Sequence, residues 1–182
     1  MKAIIISIGL LLFCQISSGQ GKYMTQKGFI NFHSHTLIED ITANNEKVAA
    51  VIDSEKGAVA IIVLMNEFQF EKKLMQEHFN ENYVESEKYP KATFSGRIEN
   101  HSKVDYERPG TYQVQVKGEM SIHGVTREVV AKGTIEIREN DIIARTKFLL
   151  NPEDYAIHIP RVVRKNIAEK LEITVELFCP PL

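Results

Sequence analysis

Apolar and polar residues alternate with a period of two along most of the chain. That is the spacing of strands with one dry and one wet face. In residues 111–122, Tyr112, Val114, Val116, Gly118, Met120 and Ile122 share one side, and Gln113, Gln115, Lys117, Glu119 and Ser121 share the other. His123-Gly124 then turns the chain. Residues 125–137 place Val125, Val129, Ala131, Ile135 and Ile137 opposite Glu128, Lys132, Thr134 and Glu136. These two runs predict a long hairpin.

The same rule predicts strands over residues 92–99, 142–150, 154–159 and 171–177. A further strand starts near Ile30 and Phe32, which alternate with Asn31 and His33. Residues 48–53 join 58–65 through Ser54-Glu55-Lys56-Gly57, a hairpin loop with glycine where a positive φ is cheap. Residues 58–65 are apolar throughout and are expected to be covered on both faces. Phe70, Leu74, Met75, His78 and Phe79 recur at helical spacing, which predicts an amphipathic helix over residues 71–80. A helical turn is expected within 161–170. About eight strands with one or two short helices, not alternating regularly, exclude the parallel α/β folds. The expected class is mainly β: a sandwich or a closed, antiparallel eight-stranded β-barrel, closure having the advantage of removing free edges.

Composition narrows the function. The chain has 182 residues, 22 basic against 24 acidic, and a formal charge of −2. A near-balanced charge argues against a nucleic-acid partner, which needs a basic face. No apolar run is long enough for a transmembrane segment. Met1-Lys2, the apolar stretch 3–14 and the small residues Ser17 and Gly19 predict a cleaved signal peptide over residues 1–19 and a single domain over 20–182. The protein is therefore expected to be exported, periplasmic or secreted. Lipidation at Cys14 is disfavoured by the bulky Phe13 before it. Cleavage would leave Cys179 as a lone thiol, read as a small core hydrophobe.

Three stretches resemble the YceI-like family. Residues 79–94 run from an acidic helix-to-loop segment into Tyr89-Pro90, Ala92 and Phe94, as the family's "YP.A.F" does. Gly118 to Arg127 is similar to its "G.L.I.GVT[KR]" hairpin, and a strand around Phe148 precedes Asp154-Tyr155 and Ile157. The marks keep their order over residues 28–178. The family's Arg-Asp pair ahead of the first mark is absent from residues 71–80. The resemblance implies an extended, lipocalin-like barrel of an exported protein that holds a polyisoprenoid or similar amphiphilic lipid inside.

An apolar lipid of that kind gains from burial alone, at roughly 25 cal/mol per Å². The expected ligand-binding residues are Phe32, Phe68, Phe70, Leu74, Phe79, Phe94, Met120 and Phe148. Tyr155 could offer a hydroxyl to a head group. Arg127, the cation on the inward parity of its strand, could neutralise one. Each of these also suits a plain core or rim position. His33-x-His35 lies on one strand face and could chelate a metal if a third ligand such as His78 converged, but a polar outer face is the simpler reading. His123 reads as turn geometry and Glu81, Glu85 and Glu87 as a solvated acidic loop. Asn100-His101-Ser102 is a glycosylation sequon. No catalytic, metal or cofactor motif is found, so a binding protein rather than an enzyme is expected. The alternatives are a metal-binding or enzymatic barrel built on His33, His35 and His78, and a filled barrel that serves as a structural or partner-binding module, with exposed apolar surface near Phe178 or Ile143. The oligomeric state stays open, a homodimer included.

Overall fold

Among the described residues the alternating pattern yields nine strands: β1 (Lys22–His35), β2 (Asp40–Asp53), β3 (Ala58–Leu64), β4 (Gln69–Phe70), β5 (Lys91–Ile98), β6 (Gly110–Ile122), β7 (Val125–Ile137), β8 (Ile142–Leu150) and β9 (Leu171–Cys179). The computed structural model describes residues 21–139 and 141–182. The expected signal peptide and its cleavage site lie outside the described residues. Eight strands follow one another antiparallel as β1-β2-β3-β5-β6-β7-β8-β9. β9 pairs back onto β1 from Phe29–Glu176 to His33–Glu172, and the barrel closes. The two-residue β4 adds a strip against Ala43 and Asn44 of β2.

Inward positions are the dry ones. Ile30, Phe32 and Ser34 of β1 are buried, whereas Asn31, His33 and His35 face out. β3 corrects one expectation: Ile62 and Leu64 on its outer face are 45% and 41% exposed, so this strand is covered on one side alone. Its apolar outer residues reflect strand propensity rather than a second layer. On β8 and β9, Phe178 is exposed but Ile143 is buried.

Local chemistry sets the corners. His123 and Gly124 have φ of 51° and 76°, the two positive values that a tight hairpin between twisted strands requires. Gly96 of β5 faces Gly118 of β6, and a Cβ on Gly118 would sit 2.4 Å from the Gly96 Cα. That close approach lets the wall bend, and the Phe94 ring covers the gap.

Two segments differ from their sequence pattern. Residues 154–159 form no strand. Pro152–Tyr155 is a 3-10 turn, with the Asn151 side chain accepting from the Glu153 amide. Tyr155, Ile157 and Ile159 alternate because each is buried against the barrel end, not because they join a ladder. The expected helix 71–80 is a six-residue helix α1 (Lys73–His78) that widens into a π-type turn over Phe79–Tyr83. Residues 161–166 are turns.

The antiparallel order gathers the β1–β2 turn, residues 65–90, the β6–β7 turn and residues 151–170 at one end, here called the rim. The opposite end receives residues 99–109, where Val104 is buried and Tyr106 packs on the core. Burial there pushes the Tyr106 phenol up to about 12. Among the described residues no helix is long and apolar enough to cross a membrane.

Candidate functional site

The inward faces do not meet. They enclose a cavity of about 430 Å³, inside the range of about 300–1,000 Å³ typical of ligand pockets. Its wall is apolar and comes from every strand of the closed barrel, including Val116, Ala131, Ala144, Ile173 and Val175. Four phenylalanines concentrate on one side. Phe32 lies 5.6 Å, ring centre to ring centre, from each of Phe68, Phe70 and Phe79, and Phe70 and Phe79 are 5.1 Å apart. Tilted and edge-on contacts at this spacing stabilise the cluster beyond its burial. They also fasten the α1 segment to the wall, since Phe79 follows directly on the helix.

Phe32, Phe68, Phe70, Phe79, Phe94, Met120 and Phe148 all line the cavity. Three other candidates are placed elsewhere. Leu74 is 62% exposed, because α1 turns Met75 and Phe79 inward instead. Tyr155 is buried beside the core but is not part of the lining. Arg127 leans over the barrel end, where its Nε donates to the Asp154 carbonyl oxygen at 3.0 Å. The small residues Ala131 and Ala144 were not singled out in the sequence, although their parity already placed Ala131 on the dry face.

The cavity reaches the rim between α1, the β1–β2 turn and residues 151–170, where Glu39, Met75, His78, Val163 and Asn166 line it. Glu39 joins three segments there. One carboxylate oxygen accepts from Lys72 Nζ at 3.2 Å, the other from Asn166 Nδ2 at 3.1 Å. The Asn166 and Lys72 hydrogen bonds hold the Glu39 carboxyl below its ordinary range. The buried Ser34 hydroxyl accepts from the Ala168 amide at 2.8 Å. Across the rim, His123 is a second clasp rather than a plain turn residue. Its Nε2 meets Glu85 Oε2 at 2.7 Å, its Nδ1 lies 3.2 Å from the Tyr155 carbonyl oxygen, and the Tyr89 ring stands edge-on at 4.4 Å. Arg145, the other charged residue near the lining, pairs outward with Glu136 and Glu176 at 2.8 and 2.9 Å.

His33 and His35 sit on the outer face of β1. Both approach one oxygen of Asp40, His33 Nε2 at 2.5 Å and His35 Nδ1 at 3.3 Å. His78 lines the rim and does not join this group, so the alternative His33–His35–His78 constellation is not assembled.

A closed antiparallel barrel, hollow and apolar within and polar at one mouth, defines the class by its architecture: a hollow β-barrel with room for a small apolar molecule. The family model of the YceI-like domain matches residues 22–178, and the chain belongs to that family. Comparison with curated proteins gives no significant match. Among solved structures the chain is similar to a polyisoprenoid binding domain from Saccharophagus degradans implicated in plant cell wall breakdown. The TM-score is 0.77 and the identity 14%, over 89% of this chain and 99% of that one. Burkholderia cenocepacia BcnA gives 0.70 and 16%, over 84% and 96%. A Campylobacter jejuni YCEI protein gives 0.65 and 16%, over 81% and 89%. At these identities the likeness establishes the fold.

Proposed function

We propose that the protein is an exported carrier or scavenger that holds a polyisoprenoid-like or other amphiphilic lipid in its barrel, with no catalytic step. The observation that carries this reading is the apolar cavity of about 430 Å³ continuous with the rim. Membership of the YceI-like family and the likeness to a polyisoprenoid binding domain support the ligand class. The amino-terminal pattern of residues 1–19 supports export to a periplasm or the cell exterior.

The mechanism is partition. An isoprenoid chain loses contact with water along its length, and each 100 Å² so buried contributes about 2.5 kcal/mol. A binding site already hollow spares the protein the cost of opening one. The α1 segment, held by Phe79 inside and by Lys72 on Glu39 at the rim, flanks the mouth through which the guest enters. A polar head group would stay at the mouth among Glu39, His78 and Asn166.

Organic extraction of the purified protein, followed by mass spectrometry, tests this. One prenyl or similarly apolar compound per chain, or saturable uptake of added prenyl lipid, is the expected result. Protein that yields no apolar compound and takes up no prenyl lipid would overturn it.

A further inference from the structure

We propose that His33, His35 and Asp40 form a binding site for a divalent transition-metal ion of the zinc type on the outer wall of the barrel. Their ligand atoms lie within 4.8 Å of one another. Tetrahedral zinc holds nitrogen and oxygen ligands about 2 Å away, and therefore about 3.3 Å apart. The His35–Asp40 separation of 3.3 Å already fits, and the His33–Asp40 contact of 2.5 Å needs to open by less than an ångström. Two imidazoles and one carboxylate are borderline donors suited to zinc, copper and nickel, and three protein ligands leave room for water.

The backbone holds the three groups in place. His33 and His35 are two residues apart on β1, so both rings leave the same side of the wall. Asp40 is the cross-strand partner of His35 on β2. Between them the four-residue turn is fixed by Thr36, whose Oγ1 accepts from the Ile38 and Glu39 amides at 3.2 and 3.0 Å. Glu172 stands opposite His33 on β9, where Lys147 neutralises it at 2.7 Å. Ser34, between the two histidines, points the other way into the barrel. The metal site and the lipid cavity thus occupy opposite faces of one strand, and either can fail without the other.

Calorimetric titration of untagged, chelator-stripped protein with zinc chloride tests the proposal, with the bound ion counted after dialysis. One ion per chain is expected. His35→Ala and Asp40→Asn should each weaken binding at least about tenfold, the lower bound for loss of even an outer-shell partner. His158→Ala, an exposed histidine elsewhere on the surface, should change nothing. Circular dichroism checks that each variant folds. Absence of stoichiometric uptake would overturn the site, as would uptake that survives both ligand substitutions.

Discussion

Ala131 lines the cavity from β7, opposite Val116 of β6. Ala131→Phe would project an aromatic ring into space that is empty or solid, and the two cases differ in which quantity changes, lipid affinity or stability. In a hollow barrel the ring occupies room meant for the guest. If it denies the lipid about 100 Å² of wall, binding weakens by about 2.5 kcal/mol, or roughly 70-fold. The unliganded fold keeps its melting temperature within about 2 °C. In a solid core the same ring overpacks, which costs about 1–3 kcal/mol. At about 2–4 °C per kcal/mol for a domain of this size, the melt would fall by about 2–12 °C. Thermal melts followed by circular dichroism read the stability, and calorimetric titration with a prenyl alcohol reads the affinity. Unchanged lipid affinity together with a lowered melting temperature would refute the hollow-barrel reasoning. Ala144→Phe on β8 repeats the test from a neighbouring strand.

Three further outcomes are expected. His123→Ala removes the clasp on Glu85 and the Tyr155 carbonyl; stability should fall by about 1–2 kcal/mol, and amide hydrogen exchange should quicken around residues 85–89 and 153–157 but not in β1. Hydrogen bonds from Arg138 and then Arg145 lower the Glu136 carboxyl below its ordinary value of 4.5. Its stabilising effect is therefore complete above that value and fades as pH falls through the lower folded-state value. Melting temperature against pH should drop below about pH 4.5, less steeply in Glu136→Gln. The Cys179 thiol, buried and raised to about 11 by desolvation, should resist an aromatic disulfide reagent at pH 8 until the protein unfolds. Rapid stoichiometric reaction of the folded protein would contradict that burial.

Much of the barrel was legible because a strand has a simple period. Parity alone assigned the dry faces of β6, β7 and β9. Closure was expected from the advantage of removing free edges and from the family resemblance, but no local signal records the β9–β1 register on which it rests. Residues 154–159 misled because burial against the barrel end also spaces apolar residues by two. The helix misled in a related way: with six residues, α1 is too short for its pattern to fix a face, and Leu74 fell outside. Arg127 sits beside the β6–β7 turn, where inward parity loses meaning as the long side chain reaches over the end. Asp40 was missed beside His33 and His35 because their proximity needs the turn at 36–39 to set the register. Thr36, a residue suited to fixing such a turn, was the available clue. Hollowness had no sequence signal, since an inward alanine serves a void and a crowded core equally.

Native mass spectrometry of protein purified without detergent from its own cells tests the central claim most directly. The account predicts a single bound species, one molecule of an apolar lipid per chain, released when Ala131→Phe occupies the interior. A bare chain mass that stays bare after incubation with prenyl lipid would contradict it.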